Sequence, residues 1–462
     1  MVSREFASTG REIVVRLLLV VFLATAVVVP SRAQAAGAGA PATAGAFDRK
    51  RFDALRAEGF EALYNLDYEG ARRRFNEMVR LFPDHPAGPQ FLAASLWLKT
   101  LNESRRLQAS LYNTEGFYAE KDDKTDPKIV AEFRDLTRQA RALAEARLKA
   151  NPKDTEALYY LGAIEGLKAA FAGAVERSFM SALRSGSDAV DRHRDVLKLD
   201  ENFHDAEITI GMYDYVAGTL PLPVKLMAAI GGIRGSKKRG LATLERVARE
   251  GVWARDDAKV LLIALLKRER RFGDAYTFAA DLAAKYPRNY IFKMEAADAL
   301  VSQAAVDRMT NPQAAKKAET EAFAIFDALL QPQRTTPRTS TEANAPRPPL
   351  DSVHYSYGEA LLVAGQPERA AKEFLAGAAL PNVEAALATR SRLRAAQALD
   401  VAGKRDDALA QYKSVLARPN VFDSHEEAKR GLKEPYKLER KVSDASAGGG
   451  RAEEDSARAA KP

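Results

Sequence analysis

The chain has 462 residues, enough for several ordinary domains, and carries a formal net charge of +8 with 29% charged residues of both signs. A mild basic excess with no dense basic stripe interleaved with aromatics describes solvated helix faces and gives no reason to expect a nucleic-acid partner. The complete absence of cysteine excludes disulfides, thiol catalysis, sulfur-ligated metal sites and a lipid-modified N-terminal cysteine.

Residues 1–35 read as a secretory signal peptide. Arg4, Arg11 and Arg16 form the basic region, Leu17 to Val29 the apolar run, and Ala33-Gln34-Ala35 the small-x-small cleavage site. The run falls short of the roughly 20 apolar residues a membrane span needs. Residues 36–48, rich in alanine and glycine, read as a flexible linker.

From residue 49 to 330 the chain repeats one helical unit. In its clearest copy, Gly59 to Pro83, Tyr68 marks the turn, Ala71 is small enough for two helices to approach, Phe75 fills their seam and Pro83 ends the second helix. A further first helix runs from about Gly88 to Leu107, with Phe91, Leu92, Leu96, Leu98 and Leu101 on its apolar positions. A polar loop with the cluster Glu120 to Lys124 delays its partner, Ile129 to Ala150, for which Asp126-Pro127 is a good start signal. Leu158, Leu161 and Gly162 open the next unit, Ala189 and Val196 belong to its second helix, and Ile210-Gly211 opens another.

The stretch Gly218 to Gly240 departs from this pattern. Prolines and glycines bracket an apolar segment ahead of Arg234, Lys237, Lys238 and Arg239. Gly235-x4-Gly240 is followed by Leu241, so the lysine of a phosphate loop is missing and a wide connection is expected. Asp257 to Pro287 then repeats the clean spacing, with Phe272, Ala275 and Pro287 matching Tyr68, Ala71 and Pro83. Weaker helices follow near 290–306 and 318–330. Residues 331–349 hold five prolines and read as an exposed connection. Residues 350–440 carry two more units, marked by Gly358, Gly365, Ala370 and Phe374 and by Gly403, Ala408 and Tyr412, closed by a capping helix near 423–437. Residues 441–462 read as a disordered tail.

This order of residues resembles the tetratricopeptide repeat (TPR) superfamily, most closely over 52–85, 155–170, 256–289 and 351–418. The resemblance implies an all-α fold, an α-solenoid of stacked helical hairpins in a right-handed superhelix. It also implies a non-catalytic scaffold holding protein or peptide partners in a concave groove lined by each hairpin's first helix. The inward positions it implies here are Tyr159 and Tyr160, Met212 and Tyr215, and Tyr355, as a partner-binding set; packing between hairpins is their other reading. One subtype clamps a carboxylate with lysine and asparagine, but Arg56 and Phe60 stand at those positions. The leader is similar to that of periplasmic repeat proteins that assist outer-membrane assembly, although those are commonly lipidated.

Nothing in the sequence speaks for an enzyme. The five histidines, His85, His193, His204, His354 and His425, form no His-Glu-x-x-His pair, and His85 and His193 read as solvated. No Gly-x-Ser-x-Gly elbow is present. Asp122-Asp123 and Asp256-Asp257 fall at turns or helix starts, where carboxylates act as caps. No metal or cofactor is expected. Two other functions stay open: a membrane-associated envelope assembly factor using Leu222–Ile230 or an uncleaved leader, and a repeat platform with a hydrolytic activity in its insertions. Export predicts a mature N-terminus at Ala36. Mass spectrometry of an exported fraction checks it, and recovery of the full-length chain alone from the cytosol would overturn it.

Overall fold

The computed structural model describes residues 47–104, 125–176, 178–220, 234–331, 347–421 and 423–438, with isolated positions between. The leader and most of the linker, the Glu120–Lys124 cluster, most of the Leu222–Ile230 segment, the proline-rich connection and the tail lie outside them.

Among the described residues there are seventeen α-helices and no strand. They are α1 (Arg49–Tyr64), α2 (Tyr68–Leu81), α3 (Ala87–Glu103), α4 (Pro127–Ala150), α5 (Thr155–Ala174), α6 (Phe179–Leu199), α7 (Glu207–Thr219), α8 (Lys237–Glu250) and α9 (Arg255–Arg268). The remainder are α10 (Phe272–Lys285), α11 (Tyr290–Asp307), α12 (Pro312–Leu330), α13 (Leu350–Val363), α14 (Pro367–Ala378), α15 (Ala385–Val401), α16 (Arg405–Leu416) and α17 (Ser424–Lys433). Each helix packs on the next in sequence, giving eight hairpins and a closing helix. The fold is an all-α solenoid of TPR-like hairpins.

Local chemistry sets the helix ends. Asp67 accepts from the Gly70 N–H at 2.8 Å and Asp154 from the Ala157 N–H at 3.0 Å, each satisfying a donor the helix leaves unpaired. The Asp126-Pro127 and Asn311-Pro312 pairs put the cap and the first-turn proline together. The second of these starts α12 at Pro312, six residues before the expected 318, because the cap outweighs the weak apolar pattern that follows it. The helix expected from Gly88 to Leu107 ends instead at Glu103.

Four hairpin turns share one geometry. Leu66, Arg270, Gly365 and Gly403 all have positive φ, between 60° and 75°. The next residue's N–H reaches back five positions: Asp67 to Ala62 O, Arg271 to Leu266 O, Gln366 to Leu361 O and Lys404 to Leu399 O, all 2.8 Å. This is a Schellman turn, in which a left-handed residue closes the first helix and aims the chain into the second. Glycine fills that position freely at 365 and 403, while Leu66 and Arg270 hold it at the steric cost of a side chain.

Counting from the turn residue puts a buried alanine five positions on in every case: Ala71, Ala275, Ala370 and Ala408. Nine positions on stand Phe75, Ala279, Phe374 and Tyr412; seven positions before stand Gly59, Ile263, Gly358 and Ala396, all buried. Large residues on the second helix meet small ones on the first, and Ala279 meets the reverse choice, Ile263. A Cβ at Gly358 would sit 2.6 Å from Phe374 Cε1, and one at Gly59 would run into the Phe75 ring. Each crossing is thus filled once, at close-packed density.

Buried and half-buried carboxylates on first helices are matched by arginines from adjoining ones. Glu165 of α5 accepts from Arg141 of α4 at 2.9 Å, and Glu207 of α7 accepts two bonds from Arg246 of α8 at 2.7 Å. Asp214 pairs with Arg239, and Glu359 of α13 takes both arms of Arg394 of α15. Paired in this way, charges are tolerated inside the stack.

Ala71→Leu and Ala275→Leu should each destabilise the fold by about 1–3 kcal/mol, because added methylenes have no room at a filled crossing. Urea titration checks this, and a neutral result at both sites would mean that the shared register is wrong.

Candidate functional site

The five groove residues named from the sequence lie in the core. Tyr159 and Tyr160 of α5 are fully buried, as are Met212 and Tyr215 of α7 and Tyr355 of α13. Tyr159 stacks on His193 at 4.8 Å and lies 5.1 Å from Phe203; Tyr160 meets His85 edge-on at 5.2 Å. The Tyr215 hydroxyl donates to Glu269 at 2.8 Å, and the Tyr355 hydroxyl accepts from Arg390 at 2.8 Å. None of the five offers contact area to a ligand in this conformation, so they serve here as packing between hairpins. They do not converge on one site: Tyr159 and Tyr160, Met212 and Tyr215, and Tyr355 belong to three different apolar clusters.

One further contact is of a kind that neighbour-to-neighbour stacking does not supply. The first hairpin turns onto hairpins far along the chain. Tyr64 at the end of α1 donates its hydroxyl to Asp257 of α9, and its ring stacks on Tyr286 at 4.9 Å. Its carbonyl accepts from Asn289 Nδ2 at 2.7 Å, while Asn65 Oδ1 accepts from the Arg288 N–H at 3.2 Å. Tyr290 of α11 donates to Asn102 of α3 at 2.9 Å, and Arg56 of α1 lies over the Trp253 ring at 5.0 Å. α1 thus lies against α5, Trp253 and α9, and its own inward face is covered.

Asp256 and Asp257 therefore do more than cap α9. Asp256 accepts from Lys285 Nζ and from the Tyr286 hydroxyl, both at 2.6 Å. The cap comes from Asp205, whose Oδ1 accepts from the Trp253 and Ala254 N–H groups at 2.9 and 2.8 Å. Burial pushes the Asp257 carboxyl well above the usual carboxylate range, and Asp256 adds to this, while the Tyr64 hydroxyl opposes it.

The histidines expected in solvent are also inside. His193 is fully buried, with Nε2 3.1 Å from the Tyr159 carbonyl and Nδ1 2.6 Å from Thr209 Oγ1. A carbonyl only accepts, so Nε2 carries the proton and Nδ1 accepts from the Thr209 hydroxyl. The neutral ring is satisfied at both nitrogens, and burial lowers its pKa to about 4. The ring fills the space that Gly162 leaves, where any Cβ would overlap it. Gly162 was legible as a close approach; the occupant of that space, thirty-one residues away in a charged helix, carried no signal.

His85 is buried between Phe52 and Tyr160, and its Nδ1 accepts from the Ala87 N–H at 3.2 Å. Its Nε2 lies 3.6 Å from Glu156. Burial acts to raise the Glu156 carboxyl, but His85, Arg147 and Arg49 overcome it and hold it at about 2. These groups line a recess of about 720 Å³ at the start of the array, with Phe47, Arg51, Leu81, Phe82 and Pro83. Phe47 is 48% exposed and Leu81 42%, so the recess presents apolar surface beside three guanidinium groups. Among the described residues no group of three or more His, Asp or Glu side chains is placed to hold a metal ion.

No protein-family model matches the chain, and no curated relative matches it. Among solved structures, the human IFIT1 dimer with PPP-AAAA is similar at 12% identity and a TM-score of 0.41, over 84% of this chain and 86% of that one. Yeast Tom70 is similar at 11% identity and a TM-score of 0.32, over 84% and 89% respectively. Likenesses at this level carry no functional inference.

His193 makes a pH prediction. Its folded-state pKa is depressed, so the unfolded chain takes up a proton below about 6.5 while the folded chain does not. Its contribution is intact at neutral pH and is lost as pH falls toward 4, amounting to about 2–3 kcal/mol between pH 7 and pH 4.5. Urea melts of the wild type and His193→Gln at both pH values check this, and equal acid sensitivity in the two proteins would refute it.

Proposed function

We propose that the protein is a non-catalytic helical-repeat scaffold that binds a segment of a partner protein in the cell envelope. The observation that carries this reading is the recess at the start of the array. The recess lies on the first described hairpin, and its wall sets the exposed Phe47 and Leu81 among charged side chains. Phe47 and Leu81 offer area to an apolar anchor side chain. Arg49, Arg51 and Arg147 stand around it, each held by a carboxylate of the chain, and frame the apolar area with charge. The envelope location rests on the leader and its Ala33-Gln34-Ala35 site.

Protein is favoured over nucleic acid as the partner because the arginines of the recess already sit against Glu156, Asp154 and Glu77, leaving no concentrated positive field for a phosphate chain. An envelope assembly role at the membrane would rest on the leader or on Leu222–Ile230; among the described residues no helix is long and apolar enough to cross a membrane.

The test is binding of the purified chain to an array of peptides drawn from envelope proteins, with a single-stranded RNA oligonucleotide in parallel. Saturable peptide binding should fall by about tenfold or more in Leu81→Glu, a loss of about 1.4 kcal/mol, with an unchanged thermal melt because Leu81 is exposed. Peptide binding that ignores Leu81→Glu overturns the recess as the site. RNA binding with a steep salt dependence and no peptide binding overturns the reading as a whole.

A further inference from the structure

The recess at the first described hairpin sits at the end of a run of aromatic rings that passes from the interior to the surface. Tyr160 is fully buried and meets His85 edge-on at 5.2 Å; His85 in turn lies 4.5 Å from Phe52, which is fully buried as well. Phe52 stands edge-on to Phe82 at 5.3 Å. Phe47 closes the run, 5.2 Å from Phe52, 5.0 Å from Phe82 and stacked on His85 at 5.7 Å. Phe47 is about half exposed, so the run ends in a ring with part of its surface still in water, and the exposed Leu81 stands on the same wall.

The charges around this ring favour no charged occupant. The lining sets Asp48, Asp84 and Glu156 against Arg49, Arg51 and Arg147, so the two signs balance. The guanidinium N–H groups are engaged within the chain. Arg147 places Nε and Nη2 on the two oxygens of Asp154 at 2.9 and 3.1 Å, Arg49 Nη1 reaches Glu156 at 3.2 Å, and Arg51 pairs with Glu77. A charged anchor would shed its water here and meet partners already taken. A guanidinium held along its edge still presents its planar faces, which attract the π-system of a ring and give nothing extra to an aliphatic chain. Arg49 shows this inside the chain, with Cζ 5.5 Å from the centre of the Phe52 ring.

We propose that the recess selects an aromatic side chain as the partner's anchor, seated against Phe47 and Leu81 among the arginine faces. This selectivity presupposes that the recess is the binding site and adds which anchor it takes. A ring seated there extends the run by one member and gains the tilted or edge-to-face contact that the pairs within it already make. An aliphatic anchor of equal size gains apolar area alone.

Two capped pentapeptides separate ring chemistry from area: acetyl-Ala-Ala-Phe-Ala-Ala-amide and its counterpart with cyclohexylalanine in place of phenylalanine. Cyclohexylalanine keeps the shape and the apolar surface and has no π-system. Each is titrated into the purified chain by ligand-observed NMR, with circular dichroism confirming that every variant keeps its helices. The phenylalanine peptide should bind about twofold to tenfold tighter, although its counterpart is the more hydrophobic. Leu81→Glu should weaken both. Phe47→Leu keeps apolar surface at that position without the ring and should draw the two affinities together. Equal affinities that both fall in Leu81→Glu sink the aromatic selection and leave the recess as the site. A preference that Phe47→Leu leaves at full size also sinks it, and so does a lack of saturable binding by either peptide. Affinities indifferent to Leu81→Glu place the binding elsewhere and overturn the recess together with its selectivity.

Discussion

The structure depends on a volume constraint at one point in four of its hairpins: two helices cross so closely that only one large side chain fits between them. Phe75 takes the place that Gly59 leaves, and Phe374 the place that Gly358 leaves. Tyr412 stands opposite Ala396 in register, and Ile263 stands opposite Ala279 with the sizes exchanged. What the fold conserves across its own copies is the summed volume, not the residue. Because interiors are as dense as organic crystals, a crossing filled twice or not at all costs stability in either direction. The Schellman turn fixes the distance from that crossing to the end of the first helix. Turn and crossing together therefore set the register of the hairpin.

A stack built only from such crossings has nearest-neighbour energetics, and each hairpin answers to the two beside it. The seam at Tyr64 breaks that rule. It gives the first hairpin a second set of neighbours, α9 to α11, and makes the span between them a closed loop rather than an open array. It also brings the Asp257 carboxyl and the Tyr64 hydroxyl together inside the molecule, beside Asp256, which stays paired with Lys285 and Tyr286.

This is also where the sequence stopped being legible. The helical hairpins could be read because a hairpin is local: Ala71, Phe75 and Pro83 recur as Ala275, Ala279 and Pro287 with a single exchange of size. Two turns were hidden, since Leu66 and Arg270 occupy a left-handed position with side chains that give no sign of it. The tyrosines at 159, 160 and 215 stand on first helices, but whether such a face is groove or core depends on what packs across it. That is decided by His193, Phe203, His85 and Glu269, and nothing in the sequence announces those pairings. His193 follows the same logic, since its helix is rich in Arg and Asp and the partners that enclose it, Gly162, Tyr159 and Thr209, sit on two other helices. Periodicity reports which residues share a face and is silent on which faces meet.

The two kinds of seam differ in chemistry only in part. A Gly–Phe crossing gains from excluding water and has no favourable state when parted, so it holds the hairpin whenever the hairpin exists. Hydrogen bonds between Tyr64, Asp257, Asn65 and Asn289 exchange for bonds to water on separation, so each contributes only about 1 kcal/mol net. The seam does not rest on those bonds alone. Tyr64 and Phe60 join Ile263, Leu282 and Phe292 in one apolar cluster, and Leu66 joins Tyr290, Ile291 and Met294 in another. That area, like a Gly–Phe crossing, has no favourable state when parted, so the closure is fastened by volume as well as by polar groups and holds the first hairpin on α9 to α11.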